Sequence, residues 1–468
     1  MRIHMMAVGG TGMGALAGLL KAQGHEVTGC DTDLYPPMSE MVERYGISVA
    51  RGFDPAHLKP RPDLVIIGNA IHSDNSEARA VVDEGIGYLS MAEAIGRFAV
   101  EGRRSLVVTG THGKTTTTAL CGYLLERAGL APNLIVGGVV KGLESSFLWG
   151  GGEWTVLEGD EYETAYFDKG PKFLHYSPSL LIVNNIEMDH LDNFRTLREL
   201  ETAFVRLFSV VRPEGLVLLG TESPSVRKLA PLAGRRAESF GLTGTEKWTA
   251  EEVAFTPKGV RFLLVRAGRR LGPFASPLSG AHNLRNSIAA LAACLEAGAP
   301  LEALRGALSG FPGVRRRQEV VYDGGGITIV DDFAHHPTAI RETLSALAQR
   351  YPARRIVACF EPRSFTCQTR QHQDSLPAAF SQAQAVLLGP MPGPGKIPAQ
   401  ERLDLALVAS ALRMEGTVAE VMASPEEYLE WFAGGLKEGD LVAFFSSGSF
   451  HDLPRRLAAA LEGSENGL

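Results

Sequence analysis

The sequence predicts an α/β protein in three domains built on parallel sheets. Apolar runs of strand length alternate with helical segments from end to end, the pattern of βαβ units. Glycine-rich turns follow two of these runs, at 7–18 and 110–113. The chain's 468 residues, 45% hydrophobic, suffice for two to four separate cores.

In order, the expected strands are 3–8, 26–31, 64–69, 105–110, 154–160, 179–185 and 216–220. Residues 253–274 read as a hairpin-like, mixed β region, with turn signals at Pro257-Lys258-Gly259 and Ala267-Gly268. Strands resume at 326–332, 355–362, 385–390 and 440–448, so three sheets are expected. Glu101-Gly102-Arg103-Arg104 precedes a new strand, and Gly310, Pro312 and Gly313 break an alanine- and leucine-rich helical stretch. These breaks give units 1–103, 104–311 and 312–468, ending in a frayed tail.

The formal net charge is -7 with acids and bases interspersed, which leaves no electrostatic footprint for nucleic acid or an anionic membrane. Five scattered cysteines without C-x-x-C spacing argue for a reducing compartment and against structural zinc. The N-terminus lacks a signal-peptide pattern and no run of eighteen apolar residues occurs, so a cytoplasmic location is expected.

GTHGKTT, Gly110 to Thr116, lies between a strand and a helix expected over 115–127. In a phosphate loop of the form G-x-x-x-x-G-K-[ST], counting back five from Gly113 gives Val108, which is not glycine. The strand, turn and helix still aim backbone N–H groups and the positive helix end at an anion. Lys114 would meet the β and γ phosphates, and the Thr115 hydroxyl would suit Mg²⁺. Two acidic strand ends, with Glu158, Asp160 and Glu161, and with Glu187, Asp189, His190 and Asp192, are expected to converge on that loop.

The turn at 7–18 suits a diphosphate-bearing ligand, with Asp31 near a ribose, although Gly10, Gly12 and Gly14 fit G-x-G-x-x-G imperfectly. An NAD-dependent oxidoreductase is the rival reading. His282, Asn283 and Asn286 open an apolar helix and read equally as capping residues. Asp331 and Asp332, followed by His335 and His336, admit a transition-metal site as the less favoured reading.

Taken in order, the Gly-rich turn, GTHGKTT, the acidic strand end, N-x-E-x-D-H-L-D, G-x-H-N-x-x-N, an arginine cluster and DDFAHHPTA resemble the ATP-dependent muramyl ligases of peptidoglycan metabolism, over essentially the whole chain. The resemblance implies a Rossmann-like UDP-sugar-binding domain, a central P-loop ATPase domain and a Rossmann-like C-terminal domain for the incoming amine. It implies ATP and Mg²⁺ as cofactors, with no nucleic-acid, membrane or obligate protein partner.

Within the family, segments 34–39, 167–176, 315–319 and 360–366 resemble the branch joining UDP-N-acetylmuramate to the murein tripeptide L-alanyl-γ-D-glutamyl-meso-diaminopimelate, over the branch adding L-alanine. By the same resemblance, Gly110, Thr111, His112, Gly113, Lys114, Thr115 and Thr116 hold the ATP phosphates. Asn283 and Asn286 match adenine-side positions, and Arg317 and Asp332 nucleotide contacts at and beyond the hinge. Thr115, Glu158 and His190 match magnesium-associated positions, and Lys114 and His190 are the implied catalytic pair, His190 as ligand or base. Gly10, Thr11, Gly12, Met13, Asp31, Asn69 and Arg363 match substrate positions. Ala203 stands where several relatives carry a carbamylated lysine, and no lysine occurs between Lys172 and Lys228.

Overall fold

The computed structural model describes residues 1–34, 38–189, 191, 193–234, 236–393 and 397–465. His190 and Asp192, both singled out above, lie outside the described residues.

The N-terminal sheet has five parallel strands in the spatial order Ser48–Arg51, Glu26–Asp31, Arg2–Met6, Leu64–Ile67, Tyr88–Ser90. The chain reverses direction across the sheet between Arg2–Met6 and Leu64–Ile67. That switch point opens a crevice at the carboxyl ends of the strands, where an α/β sheet takes its ligands. The turn before the helix Thr11–Ala22 and residue Asn69 both border it.

The central sheet has ten strands. Its middle is parallel and places Arg104–Thr109 between Leu180–Val183 and Trp154–Glu158, so that the phosphate loop and both acidic strand ends emerge together. The region read as a hairpin is a three-stranded meander, Trp248–Thr256, Gly259–Arg266 and Arg269–Ser276, joined to the parallel strands through Ala237–Phe240. The helix after the loop is Lys114–Arg127, buried from Lys114 to Leu125. It lies between the sheet and the helix Ala281–Glu296, which explains why it carries small and apolar residues around its whole circumference.

The C-terminal sheet has six strands. Glu319–Gly324 runs antiparallel at its edge, beside the parallel set Ile327–Asp332, Asp440–Phe445, Arg355–Phe360, Ala385–Leu388 and Val418–Val421. A fourth sheet, absent from the expectation of three, is the hairpin Glu163–Ala165 with Asp168–Pro171. Its strands read ETA and DKGP and offer no apolar alternation, so periodicity has nothing to detect.

The N-terminal and central sheets share one continuous core, running from Ile3 and Leu16 to Val107, Leu181 and Phe204. At their seam a Cβ on Gly18 would stand 2.3 Å from the Phe147 ring, so glycine there permits direct contact between the two units.

Candidate active site

The phosphate loop departs from the strand at Gly110, whose φ is +129°. A Cβ there would meet the backbone N and O of Asn185 at 2.9 Å, which makes glycine obligatory at this position and leaves Val108 as an ordinary buried strand residue. Asn185 then pins the loop. Its carbonyl accepts from Thr111 N–H at 3.0 Å and its side-chain oxygen from His112 N–H at 2.8 Å. The Thr111 hydroxyl donates to the Glu187 carbonyl at 3.0 Å and accepts from Glu187 N–H at 2.9 Å. The loop is thus positioned before any ligand arrives.

Lys114 is folded back on its own loop, with Nζ 2.7 Å from the Gly110 carbonyl and 2.9 Å from Glu161 Oε2. Burial pulls its ammonium toward neutrality, but Glu161, Asp160 and Glu158 outweigh that and hold its pKa above the ordinary lysine value. The Thr115 hydroxyl donates to Glu158 Oε1 at 2.8 Å and accepts from Arg317 at 3.0 Å. Burial, and then the Asp160 charge, push the Glu158 carboxyl up. Asp160 is driven the other way: Lys172, at 3.1 Å, and then Lys114 overcome its burial and hold it below the usual range.

On the far side of the loop, Asn286 donates to Asn283 Oδ1 at 3.2 Å, and Asn283 to the Ser279 carbonyl at 2.9 Å. Both asparagines are buried inside the helix Ala281–Glu296, whose N-cap is Gly280, so neither caps it. Asp332 accepts from the N–H groups of Gln318 and Ala334, both at 2.7 Å, and so fastens the arginine segment to the C-terminal sheet. Asp331 instead faces Arg316 at 3.3 Å. Among the described residues the aspartates form no ligand cluster with the histidines that follow them; His336 groups with His112 and Glu187.

That histidine cluster sets an acid limit. Burial, and then His112 and His372, lower His336 to about 3, and burial lowers His282 to about 4. Glu187 is held at about 2 by hydrogen bonding and charge from His112, aided by Thr338 and His336, against its burial. In the unfolded chain the histidines take up protons near pH 6.5, which the folded chain refuses until pH 3–4, so stability falls as pH drops below 6.5. Glu187 adds a loss in the same direction between pH 4.5 and 2. The urea midpoint should be flat above pH 7 and decline toward pH 5 by an amount worth ~1–2 kcal/mol per histidine. The decline should be shallower for His282→Gln, and a midpoint that rises on acidification would contradict this account.

A cavity of ≈ 980 Å³ joins the crevice of the N-terminal sheet, the phosphate loop and the edge of the C-terminal sheet. Gly10, Thr11, Gly12, Met13 and Asn69 line it at one end. Thr111 to Thr116, Glu158, Asn283, Asn286, Arg317 and Asp332 line it at the other. Three of the expected residues do not line it. Gly110 supports the loop from below, and Asp31 accepts from Gly9 N–H at 2.7 Å and holds the N-terminal turn. Arg363 packs over Gly448. Lys172, Tyr162, Asn185 and Arg341 also line the cavity; Asn185 opens the N-x-E-x-D-H-L-D motif and Lys172 falls in segment 167–176, but none of the four takes a role from the sequence. Asn184-Asn185 directly after the apolar run LLIV is a physical signal for this pair, because polar pairs ending a buried parallel strand face the ligand edge.

Comparison with known proteins bears directly on this arrangement. Residues 2–103 match the Mur ligase family catalytic domain, 108–294 the Mur ligase middle domain and 316–448 the Mur ligase glutamate ligase domain. The UDP-N-acetylmuramate–L-alanyl-γ-D-glutamyl-meso-2,6-diaminoheptandioate ligase of Escherichia coli is 39% identical over 391 residues, 83% of this chain and 84% of that protein. The chain belongs to the Mur ligase family. The family's members are ATP-dependent, ADP-forming amide ligases, and this protein is an enzyme of that kind. The UDP-N-acetylmuramate–L-alanine ligase of Symbiobacterium thermophilum is 33% identical, covering 98% of this chain and 95% of its own. A crystal structure of a murein peptide ligase from Psychrobacter arcticus 273-4 superposes with a TM-score of 0.73 at 31% identity, covering 98% of each chain. Among the described residues no helix is long and apolar enough to cross a membrane.

Proposed function

We propose that this Mur ligase joins the lactyl carboxylate of UDP-N-acetylmuramate to the α-amine of L-alanyl-γ-D-glutamyl-meso-diaminopimelate, in the cytoplasm. The observation that carries the choice of acceptor is the 39% identity to a ligase named for that peptide, against 33% for one named for L-alanine. The cavity agrees in chemistry, since Lys169 and Arg341 line it beside the nucleotide residues and would meet the carboxylates of a peptide that L-alanine lacks.

In this reading the units 1–103, 104–311 and 312–468 hold the UDP-sugar, ATP and the peptide respectively. The turn from Gly10 to Met13 and Asn69 would hold the UDP-sugar, and its carboxylate would reach across the cavity to the γ-phosphate. Asn283 and Asn286 would border the nucleotide, with Arg317 and Asp332 closing on it from the C-terminal unit. The carboxylate oxygen attacks phosphorus, ADP departs, and the resulting acyl phosphate is attacked by the neutral amine, which then expels phosphate from a tetrahedral intermediate. Both steps gather negative charge on oxygens, which the N–H groups at the start of the helix and Lys114, once drawn off Glu161, would stabilise.

The hydroxyl of Thr115 and the carboxylate of Glu158, 2.8 Å apart, form a hard-oxygen donor set. Burial already disfavours the Glu158 charge, which a cation would compensate. These two residues fit Mg²⁺, whose chemistry there would be to neutralise phosphate charge.

Phosphate release is to be measured with UDP-N-acetylmuramate, ATP and either acceptor. Release at least about tenfold faster per unit concentration with the tripeptide, or ~1.4 kcal/mol of discrimination, is expected. Release with L-alanine alone would overturn the choice of acceptor.

A further inference from the structure

Three carboxylates, Glu158, Asp160 and Glu161, crowd the end of the strand Trp154–Glu158, and two ammonium groups serve them. Lys114 takes Glu161 and the Gly110 carbonyl. Lys172 takes Asp160, with Nζ 4.2 Å above the Tyr162 ring and a side chain 7% exposed.

The two lysines differ in how they are held. Lys114 stands at the mouth of the phosphate loop, where a nucleotide would claim its ammonium. Lys172 is fixed through its backbone, since its N–H donates to the Tyr162 carbonyl and the next N–H, from Phe173, donates to the Asp160 carbonyl, both at 3.2 Å. These bonds close the base of the hairpin Glu163–Ala165/Asp168–Pro171 onto the acidic strand end. The hairpin's tip is anchored too: Tyr166 and Phe167 pack on the core of the N-terminal sheet, and the Phe167 ring lies 5.1 Å from that of Tyr88.

A phosphate entering the loop would draw Lys114 off Glu161, its hydrogen-bonded partner, and away from the neighbouring charge of Asp160. If Lys114 were the sole cation here, its departure would strip Asp160 of any ammonium in a buried site, a penalty that would be subtracted from nucleotide affinity. We propose that Lys172 is a positioning residue, the resident counter-ion that stays on Asp160 so that Lys114 is released to the nucleotide phosphate. The inference rests on reading the loop as the ATP site, and it assigns the hairpin a role: anchored at its tip on the N-terminal unit, it holds the counter-ion in place.

The test is a cycle of ATP dissociation constants, measured calorimetrically with Mg²⁺ and without acceptor, for wild type, Lys172→Met, Asp160→Asn and the double variant. Lys172→Met should weaken ATP about tenfold or more, because the uncompensated Asp160 charge then competes with the phosphate for Lys114. In the Asp160→Asn background the same substitution should change affinity by less than about threefold, since Asp160, the one carboxylate that Lys172 holds, is then neutral. Lys172→Arg should recover part of the loss. A lysine of merely structural importance would weaken ATP equally in both backgrounds, and that result overturns the proposal. So does Lys172→Met binding within about threefold of wild type. If Lys172→Met does not fold, Lys172→Met/Asp160→Asn, which is neutral at both positions, decides against Asp160→Asn alone. Wild-type protein that fails to bind ATP would instead remove the nucleotide reading itself, and with it this inference.

Discussion

Lys114→Ala should all but abolish ADP formation in a coupled assay, lowering kcat by about 10²–10³ or more, the range found when a donor to developing oxyanion charge is removed. The structure gives the reason. The Lys114 ammonium is held charged among Glu161, Asp160 and Glu158 despite being almost wholly buried, and the residue opens the helix that follows the loop. Its removal also takes the cation away from buried Glu161, at 2.9 Å, so a loss of stability of ~3–5 kcal/mol accompanies it. The two effects separate in Lys114→Met/Glu161→Gln, which should regain much of the stability and none of the turnover. Turnover within tenfold of wild type in either variant would sink the assignment of this loop to the reacting phosphate.

The sequence carries this part of the site because every element of it is local. A strand, GTHGKTT and a helix follow one another without interruption, and the acidic runs each close an apolar strand that must be buried. The parallel order of the central sheet then brings them together, as βαβ topology requires. The N-terminal crevice is legible for the same reason, since its turn and Asn69 follow neighbouring strands in space.

What the sequence does not carry is long-range and polar. Lys172 lies in segment 167–176, which the resemblance marks out, but nothing in that segment gives the lysine itself a role. Its importance comes from Asp160, twelve residues earlier, and from a hairpin whose strands show no alternation. Asp31 looks like a ribose ligand by position, yet its carboxylate is taken by the backbone N–H of Gly9 and of Thr32, each at 2.7 Å. His336 and Glu187 come from different sheets, and their mutual effect on protonation appears only once the C-terminal unit is set against the phosphate loop. The fourth sheet escapes for want of apolar residues, whereas the meander after Trp248 is announced by its turns.

Gly113→Ala should cost ATP affinity at least about tenfold while leaving a folded protein, and the effect divides into two parts that can be measured apart. Gly113 has φ +79°, a conformation in which an L-residue is disfavoured by ~1–2 kcal/mol. Its Cβ would also stand 2.6 Å from Asn286 Oδ1 and 3.0 Å from Asn184 Nδ2. Neither side chain can withdraw freely, because Asn286 is bonded to Asn283 and Asn184 Nδ2 donates to the Thr117 hydroxyl at 3.2 Å. The loop must therefore lift, and its N–H groups move off the position proposed to receive a phosphate. Gly102→Ala supplies the control: Gly102 has nearly the same φ, +76°, with nothing within 4 Å of its Cβ, so it reports the backbone cost alone. Urea denaturation should place Gly113→Ala below Gly102→Ala by ~1–3 kcal/mol, the usual penalty of overpacking. Calorimetric titration should show ATP binding weakened only in the former. Equal stability together with unchanged ATP affinity would mean that Asn184 and Asn286 do not brace the loop as they lie.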